Sequence, residues 1–293
     1  MTEIKKCTFK KCTFINSITL RNVTKIGVEA FSDCSNLTTV VLPDSVTEIG
    51  PYAFAYCYCL TLIILPNGLT KIDEYAFKGC CSLTTIVIPD SVTEIGPYAF
   101  AYCYCLNSII LPNGLTKIDE GAFWACRCLT SICIPNSVTE LGSHIFTDCS
   151  RLTSIVLPNR LTKIKKLSFN YCFRLSSIII PDSVTEIELK AFNGCRLLMS
   201  IILPNGLTKI EKNMFGDCCS LTTIVIPDSV TEIGPDVFND CRALKSINLP
   251  KGLTKIGDRA FYGCCSLTTI AIPSSVIEIG EYAFDSHTQK QSL

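Results

Sequence analysis

The stretch from Leu37 to Tyr58 reads Leu-Thr-Thr-Val-Val-Leu-Pro-Asp-Ser-Val-Thr-Glu-Ile-Gly-Pro-Tyr-Ala-Phe-Ala-Tyr-Cys-Tyr, and related copies of it recur every 23 residues. Thirteen Phe residues from Phe9 to Phe284 mark the repeat, and every step is 23 residues except the first, which is 22. Pro and Cys recur on the same period. A strict short period is typical of a solenoid, in which each repeat packs only on its neighbours.

Within one repeat, the residue types predict two short strands and a turn. Leu37 to Leu42 alternates and is rich in β-branched residues, which is typical of a short strand. The Pro-Asp-Ser that follows is a turn signal, and Val46 to Ile49 is a second short extended segment. Gly50-Pro51 then opens a predicted short helical turn, since Pro suits the first helical position. Asp73 and Asp119 take the Gly50 position in other repeats and are predicted helix N-caps.

Stacked copies of this repeat predict a continuous core. The side chains expected to point inward in the quoted copy are Leu37, Val40, Leu42, Val46, Ile49, Ala53, Phe54 and Cys57. Strands stacked about 4.8 Å apart from coil to coil make parallel sheets. We therefore predict a mixed, β-rich repeat solenoid that forms a single domain over residues 1–293, with about 12–13 repeats and a polar tail at 285–293. Pro-Asp-Ser-Val alternates with Pro-Asn-Gly-Leu, so the unit of duplication is 46 residues.

Composition narrows the classes of partner. The 293 residues include 26 basic and 26 acidic side chains, so there is no electrostatic argument for nucleic acid or an anionic membrane as the partner. No stretch reaches the roughly 18 consecutive apolar residues of a membrane span. The opening Met-Thr-Glu-Ile-Lys-Lys-Cys is not followed by the apolar segment of a signal peptide. Taken by itself, the chain is expected to be cytoplasmic.

A column of charges, five residues after each Pro, alternates in sign along the chain. Its members are Glu3, Lys25, Glu48, Lys71, Glu94, Lys117, Glu140, Lys163, Glu186, Lys209, Glu232, Lys255 and Glu278. If the coils stack in register, each Glu lies next to Lys. The column predicts an ion-pair ladder that also disfavours misregister, because a slip by one repeat would bring like charges together.

The 20 cysteines raise the question of metal or disulfide chemistry. Twelve of them, from Cys12 to Cys264, follow a column Phe by three residues and are predicted to point inward as small buried side chains. The close pairs have C-x-C or adjacent spacing instead of C-x2-C, and there are only two histidines, so no metal site is predicted. Disulfides are possible for the second Cys of each pair, but stacking alone does not select their partners.

The sequence has no motif of a catalytic or cofactor site. It contains no G-x-G-x-x-G, no G-x-x-x-x-G-K-[ST] and no G-x-S-x-G. His144 and His287 lie in unrelated repeats, so a Ser/His/Asp or Cys/His constellation is not expected. We predict a chain that is not an enzyme and has no cofactor.

The repeat L-x-x-I-x-I-P-x-x-[LV]-T-x-I-x-x-x-A-F-x-x-C resembles that of the BspA-like leucine-rich repeats over nearly the whole chain. One copy carries it at Leu221, Ile224, Ile226, Pro227, Val230, Thr231, Ile233, Phe238 and Cys241. The resemblance implies a right-handed, curved leucine-rich-repeat solenoid with a parallel β-sheet on its concave side. It also implies a cell-surface protein of a bacterium or parasitic protist that binds host or matrix proteins.

On such a sheet, two uncharged rows form the candidate binding surface. The apolar row lies two residues before each Pro, and its candidate binding residues are Val41, Ile64, Val87, Ile110, Cys133, Val156, Ile179, Ile202 and Val225, after which the row continues with Asn248 and Ala271. The hydroxyl row lies four residues before each Pro and includes Thr85, Ser108, Ser131, Ser154 and Ser177. An exposed apolar stripe often marks an interaction site, although β-branched residues also suit a strand for its own sake.

The function expected from these rows and from the resemblance is a non-enzymatic protein-interaction module. It would bind a protein partner of unknown identity through its concave sheet, and the resemblance implies a role in adhesion. The alternative is a structural solenoid that self-associates through its ends, because the sequence shows no recognisable capping domain.

Overall fold

A computed structural model describes residues 2–292 of the chain, with the backbone alone for Thr2 and Ser292. These residues fall into two compact units, divided between Pro158 and Asn159. Each unit is a parallel β-solenoid, in which short strands pair with equivalent strands of neighbouring repeats. No helix occurs between residues 2 and 292. Met1 and Leu293, which the predicted domain includes, lie outside the described residues.

Strands of two kinds alternate along the first unit. In chain order they are β1 (Thr2–Ile4), β2 (Ser17–Thr19), β3 (Val23–Ile26), β4 (Thr39–Val41), β5 (Glu48–Ile49), β6 (Leu62–Ile64), β7 (Lys71–Ile72), β8 (Thr85–Val87), β9 (Glu94–Ile95), β10 (Ser108–Ile110), β11 (Lys117–Ile118), β12 (Ser131–Cys133), β13 (Glu140–Leu141) and β14 (Ser154–Val156). The odd-numbered strands, here called rear strands, form one seven-stranded parallel sheet. The even-numbered front strands pair as β2-β4-β6, β8-β10 and β12-β14.

The second unit repeats this plan with less regular front strands. Its strands are β15 (Lys163–Ile164), β16 (Glu186–Ile187), β17 (Lys209–Ile210), β18 (Thr223–Val225), β19 (Glu232–Ile233), β20 (Ser246–Asn248), β21 (Lys255–Ile256), β22 (Thr269–Ile272), β23 (Glu278–Ile279) and β24 (Gln289–Ser292). Its front strands are β18, β20, β22 and β24, and the others are rear strands. At Ile179 and Ile202 the front strand is reduced to single parallel bridges, which join Ile179 to Ile202 and Ile202 to Val225.

The predicted inward set is confirmed. All eight members in the quoted repeat are at most 7% exposed. The front strands alternate as expected: Ile86 is buried, while its neighbours Thr85 and Val87 face outward. This follows from the two-residue period of a strand, which sends successive side chains to opposite sides.

The Phe column forms a stack of rings inside each unit. In the first unit, the rings of Phe54 and Phe77 lie 5.6 Å apart at an interplanar angle of 4°, and those of Phe77 and Phe100 lie 5.4 Å apart at 5°. The same stacking joins Phe192 to Phe215 in the second unit, at 5.7 Å and 6°. Each ring is therefore buried by its two neighbours, and the stack runs through the centre of the coils.

The segment predicted as a short helical turn is a run of β-turns instead, and residues 50–59 and their equivalents are here called the turn face. The Gly50 carbonyl accepts the N–H of Ala53 at 3.2 Å, and the Phe54 carbonyl accepts the N–H of Cys57 at 3.3 Å. The N–H of Phe54, however, donates to the carbonyl of Ala76 on the next coil, at 2.9 Å. A helix would bond all of these groups within its own coil.

Backbone angles explain why no helix forms there. Tyr52 and Tyr56 have positive φ angles of 56° and 61°, and a Pro followed by a residue of positive φ is the pattern of a type II turn. The predicted N-cap role of Asp73 and Asp119 is therefore wrong. Their carboxylates instead lie 3.1 Å from the ammonium of Lys71 and 2.8 Å from that of Lys117, respectively.

The alternating charges stack in register within each unit, as predicted. The rear strands pair Lys25 with Glu48 and Lys117 with both Glu94 and Glu140. The ion pairs are local: Lys25 Nζ lies 2.7 Å from a Glu48 carboxylate oxygen, and this hydrogen bond raises the pKa of Lys25. Further ladder pairs are Lys71–Glu94, Lys163–Glu186, Lys209–Glu232 and Lys255–Glu278.

Hydrogen bonds from Ser follow the 46-residue period. The hydroxyl of Ser91 donates to the carbonyl of Leu69 on the preceding coil at 2.5 Å, and Ser229 donates to Leu207 at 2.5 Å. Ser45 and Ser275 make the equivalent bonds to Val23 and Leu253. In four of the five intervening repeats from Pro66 to Pro250, Gly takes the same place, and in the fifth it is Arg160, so none of them has a hydroxyl to donate there. Coils are thus joined in pairs at this turn.

The segment predicted as a polar tail carries a further front strand. Between residues 285 and 292, Gln289–Ser292 forms β24, which pairs in parallel with β22. The ammonium of Lys290 lies 5.4 Å from the centre of the Phe284 ring. The tail therefore covers the last ring of the stack in the second unit, while Leu293 lies outside the described residues.

We expect Phe77→Ala to lower the free energy of unfolding by about 3–5 kcal/mol, because it removes a fully buried ring from the middle of a stack. Denaturant melts measure the loss. Phe14→Ala is the matched control, since Phe14 is 81% exposed, and it should change stability by less than about 0.5 kcal/mol. Equal effects of the two substitutions would contradict the stacked core.

We expect Lys117→Glu to place three carboxylates in succession with Glu94 and Glu140 and to destabilise the protein by less than about 1 kcal/mol. The deficit should shrink as salt is raised, because exposed charges are screened. Lys117→Met is the control, since it removes the ammonium without adding a like charge. If the difference in unfolding free energy between the two variants does not change with salt concentration, the ladder does not act through electrostatic interaction.

Candidate functional site

The front strands bring the two predicted rows side by side on one surface, here called the sheet face. In the pair β8 and β10, Thr85 lies opposite Ser108 and Val87 lies opposite Ile110. The buried Ile86 separates the two rows. Because the pairing is parallel and in register, each row continues from strand to strand.

The structure places the predicted residues of the first unit on the surface. Ile64, Val87, Ile110 and Val156 are each about 60% exposed, and Val41 is 41% exposed. The other predicted members of this unit are also exposed: Thr85, Ser108, Ser131, Cys133 and Ser154. These residues carry no charge, so the rows offer apolar contact and hydroxyl hydrogen bonds.

The second unit presents fewer predicted residues but exposes them further. Ile179 is 86% exposed, Ile202 is 84% exposed and Val225 is 72% exposed, and Ser177 is also exposed. The bridges between Ile179, Ile202 and Val225 show that these side chains lie on adjacent coils. Three large aliphatic side chains at such exposure form the most open apolar surface of this unit's sheet face.

Two exposed apolar residues near the rows were not among the predicted site residues. Leu62 replaces a hydroxyl residue in the first unit and is 50% exposed, while Met199 is 57% exposed in the second unit. The sequence holds a signal for Leu62 and Met199, since each occupies a column in which most repeats have Thr or Ser. Each of them widens the apolar surface of its unit.

A shallow depression of about 320 Å³ lies on the sheet face of the first unit. Leu62, Ile64 and Val87 supply apolar walls, and Thr85 and Asn67 supply polar groups. This lining has no acid or base that could activate the Thr85 hydroxyl as a nucleophile. The surface can make contact and donate hydrogen bonds, which suits recognition.

The cysteine column lies on the inside and also takes part in hydrogen bonding. Eleven of the twelve predicted members are buried, from Cys34 to Cys264, whereas Cys12 is half-buried. The thiol of Cys80 donates to the carbonyl of Phe54 on the preceding coil at 3.2 Å, and Cys103 donates to Phe77 in the same way. These thiols are structural donors in the core.

Burial also suppresses their ionisation. It raises the pKa of Cys34 to about 11 and that of Cys264 to about 12. The same desolvation raises the pKa of Cys57, Cys80, Cys103, Cys126, Cys149, Cys195, Cys218 and Cys241. A thiol that stays protonated is a poor nucleophile and a poor metal ligand.

Among residues 2–292, no cluster of three or more His, Cys, Asp and Glu side chains has the arrangement of a metal site. Nor does this part of the chain contain a helix with the length and apolar character that a membrane crossing requires.

Comparison with protein families gives a match along the chain. The family model described as the BspA type leucine-rich repeat region, in six copies, matches residues 1–105, 70–196 and 162–291. A search of the curated proteins found no match.

Solved structures share the fold. A leucine-rich repeat protein of Bacteroides ovatus is 29% identical with a TM-score of 0.89, and the match covers 100% of this chain and 88% of that one. A leucine-rich cell surface protein of Faecalibacterium prausnitzii is 30% identical with a TM-score of 0.63, over 98% of this chain and 84% of that one. A leucine-rich repeat protein of Eubacterium ventriosum is 25% identical with a TM-score of 0.62, over 94% and 83%.

The buried thiols predict steep alkaline unfolding. An unfolded chain loses thiol protons near the ordinary pKa of 9.0, whereas the folded chain keeps them to about pH 11 or beyond. The contribution of the buried thiols to the free energy of unfolding is therefore fully present below pH 9. It should fall from pH 9 to about 11, by up to ~1.4 kcal/mol per pH unit for each thiol. Denaturant melts at a series of pH values measure the slope.

A matched pair of variants tests the cause. Cys126→Ala removes one buried thiol, so its slope above pH 9 should be shallower by ~1.4 kcal/mol per pH unit. Cys59→Ala removes an exposed thiol and should keep the slope of the parent chain. Equal slopes for all three proteins would show that the buried thiols do not govern alkaline unfolding.

Proposed function

Because this chain belongs to the BspA-type leucine-rich repeat family, we propose that it is a non-enzymatic interaction module that binds a protein partner through its sheet face. The observation that carries the proposal is the exposed apolar row. Isolated exposed apolar side chains are common on proteins, but contiguous ones mark interaction surfaces. Here they recur on adjacent front strands, as Val87 does beside Ile110.

The chemistry of the rows suggests what the partner presents. Aliphatic side chains beside hydroxyl groups suit a surface that is itself apolar with hydrogen-bonding groups at its rim. The strands hold both rows in fixed register, so little conformational entropy is lost on binding. The absence of charge from the predicted rows favours a partner that does not depend on ionic attraction.

A place at the cell surface is supported by similarity alone, and a role in adhesion is proposed from that location. The Faecalibacterium protein, which is 30% identical to this chain, is described as a cell surface protein. We extend that location to this chain as part of the proposal. Detection of the protein on intact cells by a labelled antibody tests it, and labelling only after cells are broken would contradict it.

A structural, self-associating role is the second candidate. It is favoured by the outermost repeat of the second unit, where Ile277 is 88% exposed and Tyr282 is 69% exposed. β23 is also an outer strand of its sheet, and an uncovered strand edge can pair with another chain. Light scattering across a range of concentrations separates the two candidates, because only self-association raises the mass of the purified chain.

We expect the triple variant Ile64→Lys, Val87→Lys and Ile110→Lys to lose at least tenfold in partner capture when the purified chain is immobilised and exposed to host-cell and matrix protein extracts. Three charges on an apolar surface must be desolvated on binding, which opposes association. The buried core side chains are untouched, so the denaturation midpoint should stay close to that of the parent chain.

The control introduces a Lys on the other side of the coils. Glu74→Lys alters an exposed residue of the turn face and should leave capture unchanged. Asn170, which also lies on this side, is unsuitable as a control because it is 3% exposed and hydrogen-bonds to Asn193. If the triple variant still captures the partner and Glu74→Lys does not, the binding site lies on the turn face.

A further inference from the structure

We propose that Cys81 and Cys105 are an oxidative modification site, which a low-molecular-weight disulfide such as oxidised glutathione converts into a disulfide bond between adjacent coils. Sequence alone leaves the pairing of the non-core cysteines open. The structure of the first unit selects this pair among the cysteines of the turn face.

The backbone brings the two residues together. The N–H of Cys105 donates to the carbonyl of Cys81 at 3.2 Å. Stacked chains lie about 4.8 Å apart, so this bond puts the two Cα atoms within the range of roughly 4.4–6.8 Å that a disulfide spans. The backbone thus meets the Cα spacing that a disulfide requires with the coils as they stand.

The thiols are also placed for the reaction. The thiol of Cys81 points to the coil that carries Cys105, since its Sγ lies 3.7 Å from the carbonyl oxygen of Tyr102. Cys105 is exposed and Cys81 is half-buried, so a small oxidant can reach the first and the second can follow. Burial raises the pKa of Cys81, and the nearby Cys105 adds to this rise.

Neighbouring coils lack the same pairing. One coil earlier, the equivalent bond runs from the N–H of Ser82 to Tyr58, and one coil later it runs from Cys128 to Tyr104. Only the middle bond of these three joins two cysteines. The thiol of Cys128 instead lies 3.9 Å from the guanidinium of Arg151, on the coil further along.

The reaction is a two-step exchange. The Cys105 thiolate attacks one sulfur of oxidised glutathione, which forms a mixed disulfide and releases one glutathione thiolate. The Cys81 thiolate then attacks the Cys105 sulfur, which closes the protein disulfide and releases the second glutathione thiolate. Two electrons pass from the cysteines to glutathione, and the two protons of the cysteine thiols end on the released glutathione molecules.

The test uses the purified full chain, oxidised in its native state with excess oxidised glutathione at pH 8. Remaining thiols are alkylated in denaturant, and the chain is cut with a glutamyl endopeptidase, because Glu94 lies between the two cysteines. We expect mass spectrometry to show a crosslinked peptide pair that contains Cys81 and Cys105 and that separates on reduction. The oxidised chain should also unfold at a higher denaturant concentration than the reduced chain.

Single substitutions assign the bond. Cys81→Ser should abolish the crosslink and leave glutathione trapped on Cys105, a signal that does not depend on a change in stability. Cys105→Ser should abolish the crosslink as well, whereas Cys59→Ser and Cys128→Ser, on flanking coils, should keep it. A crosslink from Cys105 to Cys128, or glutathione that stays on Cys105 in the unsubstituted chain, would overturn the proposal.

Discussion

Each coil depends on the hydrogen bonds that its backbone makes to the coil stacked on it. On the turn face, alternate N–H groups leave their own coil and donate to the next, as Phe54 does to Ala76. The Phe54 carbonyl in turn accepts the N–H of Cys57 and the thiol of Cys80. Because buried backbone groups must be paired, an inserted or deleted residue in this segment would leave several of them without partners. The constancy of the 23-residue period follows from this requirement.

That constraint also explains which parts of the fold the sequence could predict. Inward positions were predictable because Leu, Ile, Phe and Cys return at one interval, and burial of a column needs only that the coils stack. The turn face was not predictable in the same way. Ala53, Phe54 and Cys57 lie on one side of a helical turn and also on one side of successive β-turns, so their spacing does not distinguish the two. The distinguishing feature is the positive φ of Tyr52 and Tyr56, which is uncommon for a residue other than glycine.

The sheet face was predictable in position but not in extent. Strand alternation places Val87 and Ile110 outward with no further information, and the structure agrees. The much greater exposure of Ile179 and Ile202 than of Val41 depends on how neighbouring side chains fill the surface around each one. Such differences arise from packing between coils, which the pattern within a single repeat does not contain. The pairing of Cys81 with Cys105 is likewise a property of adjacent coils.

The two sides of a coil are under different constraints. On the turn face, the Tyr56 ring lies against Gly79, whose φ is +73° and where a Cβ would come within 2.8 Å of the ring, so substitutions there disturb the stacking. The outward apolar residues of the front strands are largely exposed, as Val87 and Ile110 are. Strand propensity alone does not single out Val and Ile, because Thr is also enriched in strands and the hydroxyl row uses Thr and Ser. The proposed function would give the recurrent choice of Ile and Val in the exposed row a second cause. A partner that covers these side chains would supply it, because burial of aliphatic surface is favourable only when something takes the place of water.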